Sequence, residues 1–143
     1  MSFVYYRAET IMQPEAVLTP LRAATAERMQ HVGARIRLNM RRRLQYRKGS
    51  SRPGQAPSIH RSRTQQESPL ARSLLYGQPD PMSVIVGAAN VAGKAGMVAK
   101  VLEEGGVTTA ADGKSFSIEA RPFMRPAAFE ETMQAPALWA NSI

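Results

Sequence analysis

The string Ala120-Arg121-Pro122-Phe123-Met124-Arg125-Pro126-Ala127 constrains the fold more than any other segment of the chain. Each proline fixes its own φ at about −65° and disfavours helix at the residue before it. Arg121 and Arg125 are therefore expected to be extended, and Pro126 is placed to open a closing helix that runs to about Gln134. The apolar pair Phe123 and Met124 is expected to anchor that helix to a core.

The size of that core is bounded by length. A chain of 143 residues with 43% apolar side chains is enough for one domain and leaves little for a second. Cysteine is absent, which excludes disulfides, thiolate metal sites and a cysteine nucleophile. The two histidines, His31 and His60, offer little to a metal, and no cofactor is expected. No apolar run approaches the roughly 18 residues that cross a bilayer. Arg7 and Glu9 interrupt the first apolar patch, so no signal peptide is read there. The expected location is a cytoplasm or a particle built in one.

Net charge is +8, and it is unevenly spread. Between Arg22 and Arg72 stand thirteen Arg and Lys against two acids, Glu27 and Glu67, whereas the rest of the chain is net acidic. Fifteen of the nineteen basic residues are arginine, whose planar fork suits bidentate contact with carboxylate or phosphate. Such a block is suited to nucleic acid or to an acidic partner.

Thr19-Pro20 has the form of an N-cap followed by proline at the first helical position. Leu21, Val32, Ile36, Met40 and Leu44 then continue at mostly helical spacing, which predicts a long helix from about Pro20 to Tyr46 and allows an extra turn before Pro20. Its other faces are cationic, with Arg35, Arg41, Arg42 and Arg43 as candidate contacts, and Gly33 is a mild weak point. Residues Lys48 to Ser68 are rich in Gly, Pro, Ser, Gln and Arg and predict a long loop. Met82 to Val86 reads as a strand ending at Gly87, paired in a hairpin through a turn at Gln78-Pro79-Asp80-Pro81. Met97 to Leu102 is a further strand or short helix. Gly105-Gly106 and Asp112-Gly113 flank Val107 to Ala111, and Ser115 to Glu119 alternates as a strand with Phe116 and Ile118 on one face. The order predicts an α+β fold, with a long N-terminal and a short C-terminal helix packed on a small antiparallel sheet. The organisation is a docking arm over 1–19, one domain over 20–134 and a tail over 135–143.

Catalytic patterns are weak, and no enzyme is expected. Gly87 to Lys94 superficially resembles a phosphate-cradling loop, but its spacing is one residue too long and Ala95 stands where a magnesium-binding hydroxyl belongs. Ser58, His60 and Asp80 have no nucleophile elbow around them, and Glu103 beside Glu104 would point to opposite faces of an extended segment. The arginine helix supports a nucleic-acid-binding alternative, with Arg35, Arg42 and Arg43 as possible DNA contacts. Charge runs more often form solvated faces, and only Tyr46 is present in the block to stack on a base.

The closing string resembles the signature of the head-to-tail joining and tail-completion proteins of long-tailed, lambdoid-type bacteriophages. Four further landmarks of that family occur in order: Pro53-Gly54-Gln55-Ala56-Pro57-Ser58, Leu70-Ala71-Arg72-Ser73-Leu74, Val84-Ile85-Val86-Gly87, and Ala99-Lys100-Val101-Leu102-Glu103-Glu104-Gly105. The similarity spans about residues 20 to 134, and the aromatics that the family places around the last of these landmarks are replaced by Met97, Val98 and Glu104. The resemblance implies a virion subunit of the phage neck, in a ring, typically sixfold, that joins the head connector to the tail or completes the tail. Partners would be further copies of the chain, neighbouring neck and tail-tube proteins, and DNA passing non-specifically through the channel. Expected interface residues are Arg41, Arg42, Arg43, Arg52, Pro53, Pro57, Arg61 and Arg63, with Phe3, Tyr5 and Trp139 at the chain ends. The structural motif is Arg121, Pro122, Phe123, Met124, Arg125 and Pro126.

Overall fold

The computed structural model describes residues 13–59, 68–89, 95–109 and 112–140. It is a mixed α and β fold with a long N-terminal helix, a short C-terminal helix and small antiparallel sheets. The elements are α1 (Pro14–Arg43), β1 (Gln45–Tyr46), β2 (Ser58–Ile59), α2 (Pro69–Ser73), β3 (Leu74–Asp80), β4 (Ser83–Ala88), α3 (Ala95–Glu104), β5 (Gly106–Thr109), β6 (Ser115–Ile118) and α4 (Met124–Gln134). A 3₁₀ turn over Ala135–Leu138 follows α4.

Helix α1 begins six residues before the expected start. Pro14 takes the first helical position that Pro20 was expected to fill, and Pro20 lies inside the helix. The amide that Pro20 lacks would have bonded the Ala16 carbonyl. Ala16 is exposed, so water can satisfy it. Pro14–Thr19 thus belong to α1, while the first twelve residues, including Phe3 and Tyr5, lie outside the described part. The buried seam of α1 is Val32, Ile36, Met40 and, just past its end, Leu44. The helix stops at Arg43 rather than Tyr46, because Leu44 turns extended with ψ 104°.

Gln45–Tyr46 then pair in parallel with Ser58–Ile59, which anchors the first half of the long loop. Ile59 and Ser51 are buried there and Pro57 is fully so, where the composition predicted only exposed loop. Arg52 to Gln55 form a turn closed by Gln55 N–H donating to the Arg52 carbonyl at 3.1 Å. Proline at its second position and Gly54 at φ +74° at its third make the arrangement of a type II turn.

Strands β3 and β4 form an antiparallel hairpin with Leu75 opposite Gly87 and Gly77 opposite Ile85. The chain reverses at Pro81–Met82, two residues later than expected, and Gln78 instead reaches the Ala26 carbonyl of α1 at 3.0 Å. One face of the hairpin lies on α1 where Gly33 sits. A Cβ there would stand 2.5 Å from Val84 Cγ2 and 2.9 Å from Tyr76 Cδ2, so the glycine is a close-approach point rather than a weak one.

Met97 to Leu102 resolves as helix, within α3. Gly105 ends it at φ +75°, a conformation that favours glycine, and a Cβ at this position would meet the Ala120 nitrogen and the Ile118 oxygen at 3.1 Å each. The second antiparallel hairpin, β5 with β6, pairs Gly106 with Ile118 and Thr109 with Ser115. Helix α4 rests on α1, and Phe123 and Ala127 close the core with no measurable exposure. No helix among the described residues is long and apolar enough to cross a membrane.

Candidate functional site

Helix α4 starts without a capping side chain of its own, since Phe123 holds the N-cap position. Its first amides must therefore find acceptors elsewhere. Glu103, near the end of α3, supplies them. Phe123 and Met124 N–H both donate to Oε2 at 2.9 Å, and Arg125 N–H donates to Oε1 at 2.8 Å. The carboxylate is 6% exposed, so an anion sits at the positive end of α4 with three charge-assisted hydrogen bonds. Arg125 is consequently in the first turn of the helix and not extended, and α4 begins at Met124 rather than Pro126. Glu103 and Glu104 are consecutive on a helix, and Glu104 pairs with the Arg125 guanidinium at 3.1 Å.

Other segments meet at the same place. Gly54 N–H donates to the Ala120 carbonyl at 3.1 Å, and Arg121 N–H donates to the Leu102 carbonyl at 2.6 Å. Nearby, Ala89 N–H, just past β4, donates to the Ser73 carbonyl at 2.8 Å, and the Ser73 hydroxyl donates to the Leu70 carbonyl at 2.7 Å. Main-chain hydrogen bonds thus join the landmarks at 53–58, 99–105 and 120–127 to one another, while the one at 70–74, bonded to Ala89 just past Val84–Gly87, packs through α2 on α3 around the core residues Leu70, Leu74, Ala99 and Phe123. Arg121, Pro122, Met124 and Pro126 are half-buried in this knot, while the Arg125 side chain is exposed.

The arginine block divides in two. One flank is consumed within the molecule: Arg35 Nε donates to Glu131 Oε2 at 2.8 Å and its Nη2 to Gln134 at 2.7 Å, while Arg43 pairs with Glu130. Arg37 donates to the Leu74 carbonyl at 2.7 Å. Arg35 and Arg43, named above as possible DNA contacts, thus join α1 to α4. The Arg43 guanidinium, followed by the Asn39 amide, holds the Glu130 carboxyl below the usual carboxylate range. Asp80 is also lowered, by the Ser83 hydroxyl and then the Met82 N–H, inside its own turn. The other flank keeps its charge outward. Arg42, Lys48, Arg52 and Pro53 are exposed, and Arg41 is half-buried.

Two more expected interface positions turn inward. Pro57 is fully buried and is part of the core wall, because the loop folds back to pair with β1. Trp139 packs against the core from beyond the 3₁₀ turn. Arg61, Arg63 and His60 lie outside the described residues.

Sequence reading missed three apolar faces. On the outer side of the first hairpin, Ile85 is 66% exposed and stands beside Leu75. Between α3 and the second hairpin, Met97, Val98, Val107 and Ile118 help line an open groove of about 380 Å³. On α4, Phe129 and Met133 are both largely exposed. Of the expected Phe116 and Ile118 pair on β6, Ile118 lines the groove beside α3 and Phe116 is half exposed. No protein-family model, no curated protein and no solved structure matches this chain.

Proposed function

We propose that this protein is a structural, non-catalytic subunit of a phage neck, working as one copy in a ring that completes the tail or joins it to the head connector. The ring is hexameric in this reading. It assembles in the host cytoplasm and stays in the virion at the head-to-tail junction. The observation that carries the reading is the knot around Glu103. The five landmarks resembling the neck family are dispersed over some 70 residues, and three of them interlock by hydrogen bonds at Glu103 and the Ala120 carbonyl, with the segment at 70–74 packed against them through α2 and α3. A chance set of short matches has no reason to coincide with the contacts that hold a fold together.

The exposed faces add physical support. A monomer rarely leaves several bulky apolar patches uncovered, whereas a subunit awaiting neighbours does. The hairpin face at Leu75 and Ile85, the groove at Met97 and Val107, and Phe129 and Met133 on α4 lie on separate elements. Separate patches suit heterologous, head-to-tail contacts, which close into rings.

Immunogold electron microscopy of purified particles carrying an epitope tag on this chain tests the reading. Label concentrated at the head-to-tail junction is expected. Particles that carry the tagged protein elsewhere, or not at all, would overturn it.

A further inference from the structure

From Arg41 to Ile59 the chain carries six basic residues and no acid. The structure brings this stretch together at one end of the molecule and gives it a stiff frame. The type II turn at Arg52 to Gln55 is tied to the closing string through Gly54 N–H and the Ala120 carbonyl. Buried Ser51, Pro57 and Ile59 hold the loop on either side of that turn. Arg47 is clamped by neutral acceptors, the side-chain oxygens of Gln45 and Gln55, which aim its guanidinium without cancelling its charge. Arg42, Lys48 and the Arg52 side chain are exposed and make no ion pair with any described residue. Four cations therefore stand outward on a main-chain frame that is already folded, with the Arg47 guanidinium also held in place.

The described residues do not supply the matching surface. Glu103 is buried in the knot, Glu104, Asp112, Glu130 and Glu131 are engaged in ion pairs, and the Asp80 carboxylate is held by its own turn. Among the described acids, Glu15, Glu27 and Glu119 remain exposed without a described partner. Glu15 and Glu27 stand twelve residues apart on α1, about 18 Å along its axis. Glu119 is next to Ala120, whose carbonyl accepts from Gly54 N–H, and is the one brought to the edge of the platform. Three scattered carboxylates do not form a face complementary to four clustered cations, so a second copy of this chain is not the natural counterpart.

We propose that this platform, formed by Arg42, Arg47, Lys48 and Arg52, is a contact surface for the phosphate backbone of duplex DNA, without base readout. It does not rest on the neck reading. Arginine forks match phosphate oxygens, and a rigid cluster releases condensed counterions on binding without a large ordering cost. Nothing in the platform projects as a helix or strand that would enter a groove, so sequence specificity is not expected.

The test is fluorescence anisotropy of the full-length protein with a fluorescein-labelled duplex of about 30 base pairs at several salt concentrations. With four cations engaged, doubling the salt should weaken binding about twelvefold. The triple variant Arg42→Gln, Lys48→Gln, Arg52→Gln should bind far more weakly at low salt and lose only about twofold on the same doubling. Arg22→Gln, about 30 Å away along α1, should behave as wild type. Circular dichroism and the urea midpoint, unchanged for these exposed positions, show that the variants are folded. Equal binding by wild type and triple variant, or affinity insensitive to salt, would overturn the proposal. So would binding to a polyglutamate peptide with none to the duplex, which would make the partner an acidic protein.

Discussion

Two residues carry more of this fold than their types suggest. Glu103 accepts three main-chain amides with two oxygens, so changing one oxygen to an amide nitrogen sets a donor against a donor in a buried place. Glu103→Gln is expected to cost about 2 kcal/mol in urea unfolding with an unchanged m-value. Its neighbour is a contrast. Glu104 pairs with a well-solvated arginine, so Glu104→Gln should cost under about 0.5 kcal/mol. Gly33 reverses the usual helix rule. In an open helix Gly→Ala gains about 1 kcal/mol, but here the new methyl meets Val84 and Tyr76 well inside contact distance. Gly33→Ala should therefore destabilise by about 1 to 3 kcal/mol, read by the same unfolding measurement.

The helices show which parts of a fold announce themselves locally. The α1 seam, both hairpins and the closing helix were legible because each rests on a period or a turn residue within a short window. Gly105, Gly106 and Gly113 at positive φ punctuate the second hairpin much as the glycine pairs implied. Helix starts were less legible. Pro20 looked like an N1 proline although Pro14, an equally local N1 signal, holds that position, and only a contact distant in sequence places the α4 cap on Glu103. A helix whose N-cap residue is phenylalanine is the available signal that a cap comes from elsewhere. The pairing of α1 with α4 was equally hidden, since Arg43 and Glu130 are 87 residues apart. Because the Glu130 carboxyl titrates lower when folded than unfolded, its stabilising effect is full above the ordinary carboxylate range and is lost as pH falls through its native value. The urea midpoints of wild type and Glu130→Gln should accordingly differ at about pH 6 and converge towards about pH 3.

At the scale of the molecule, mass is distributed unevenly along α1. Thr25 is the first buried residue of the helix, so three N-terminal turns with Val17 and Leu21 exposed extend past the packed body. Amide hydrogen exchange should divide the helix accordingly, with residues 14–24 exchanging orders of magnitude faster than 32–43. The candidate surfaces were only partly legible for a related reason. Charge runs can be counted in a sequence, but which arginines remain outward depends on where α4 lands, and apolar residues in hairpins give no sign of whether their second face is covered. The knot at Glu103 also sets an order of events during synthesis. Its acceptor lies at position 103 and its donors at 123 to 125, so the core stays open until synthesis has passed residue 125. Until then Leu74, Ala99 and the apolar faces are unshielded together. A ribosome stalled before Phe123 would hold a chain prone to stick to its neighbours, and the segment from Phe123 to Ala127 decides whether the earlier residues fold or aggregate.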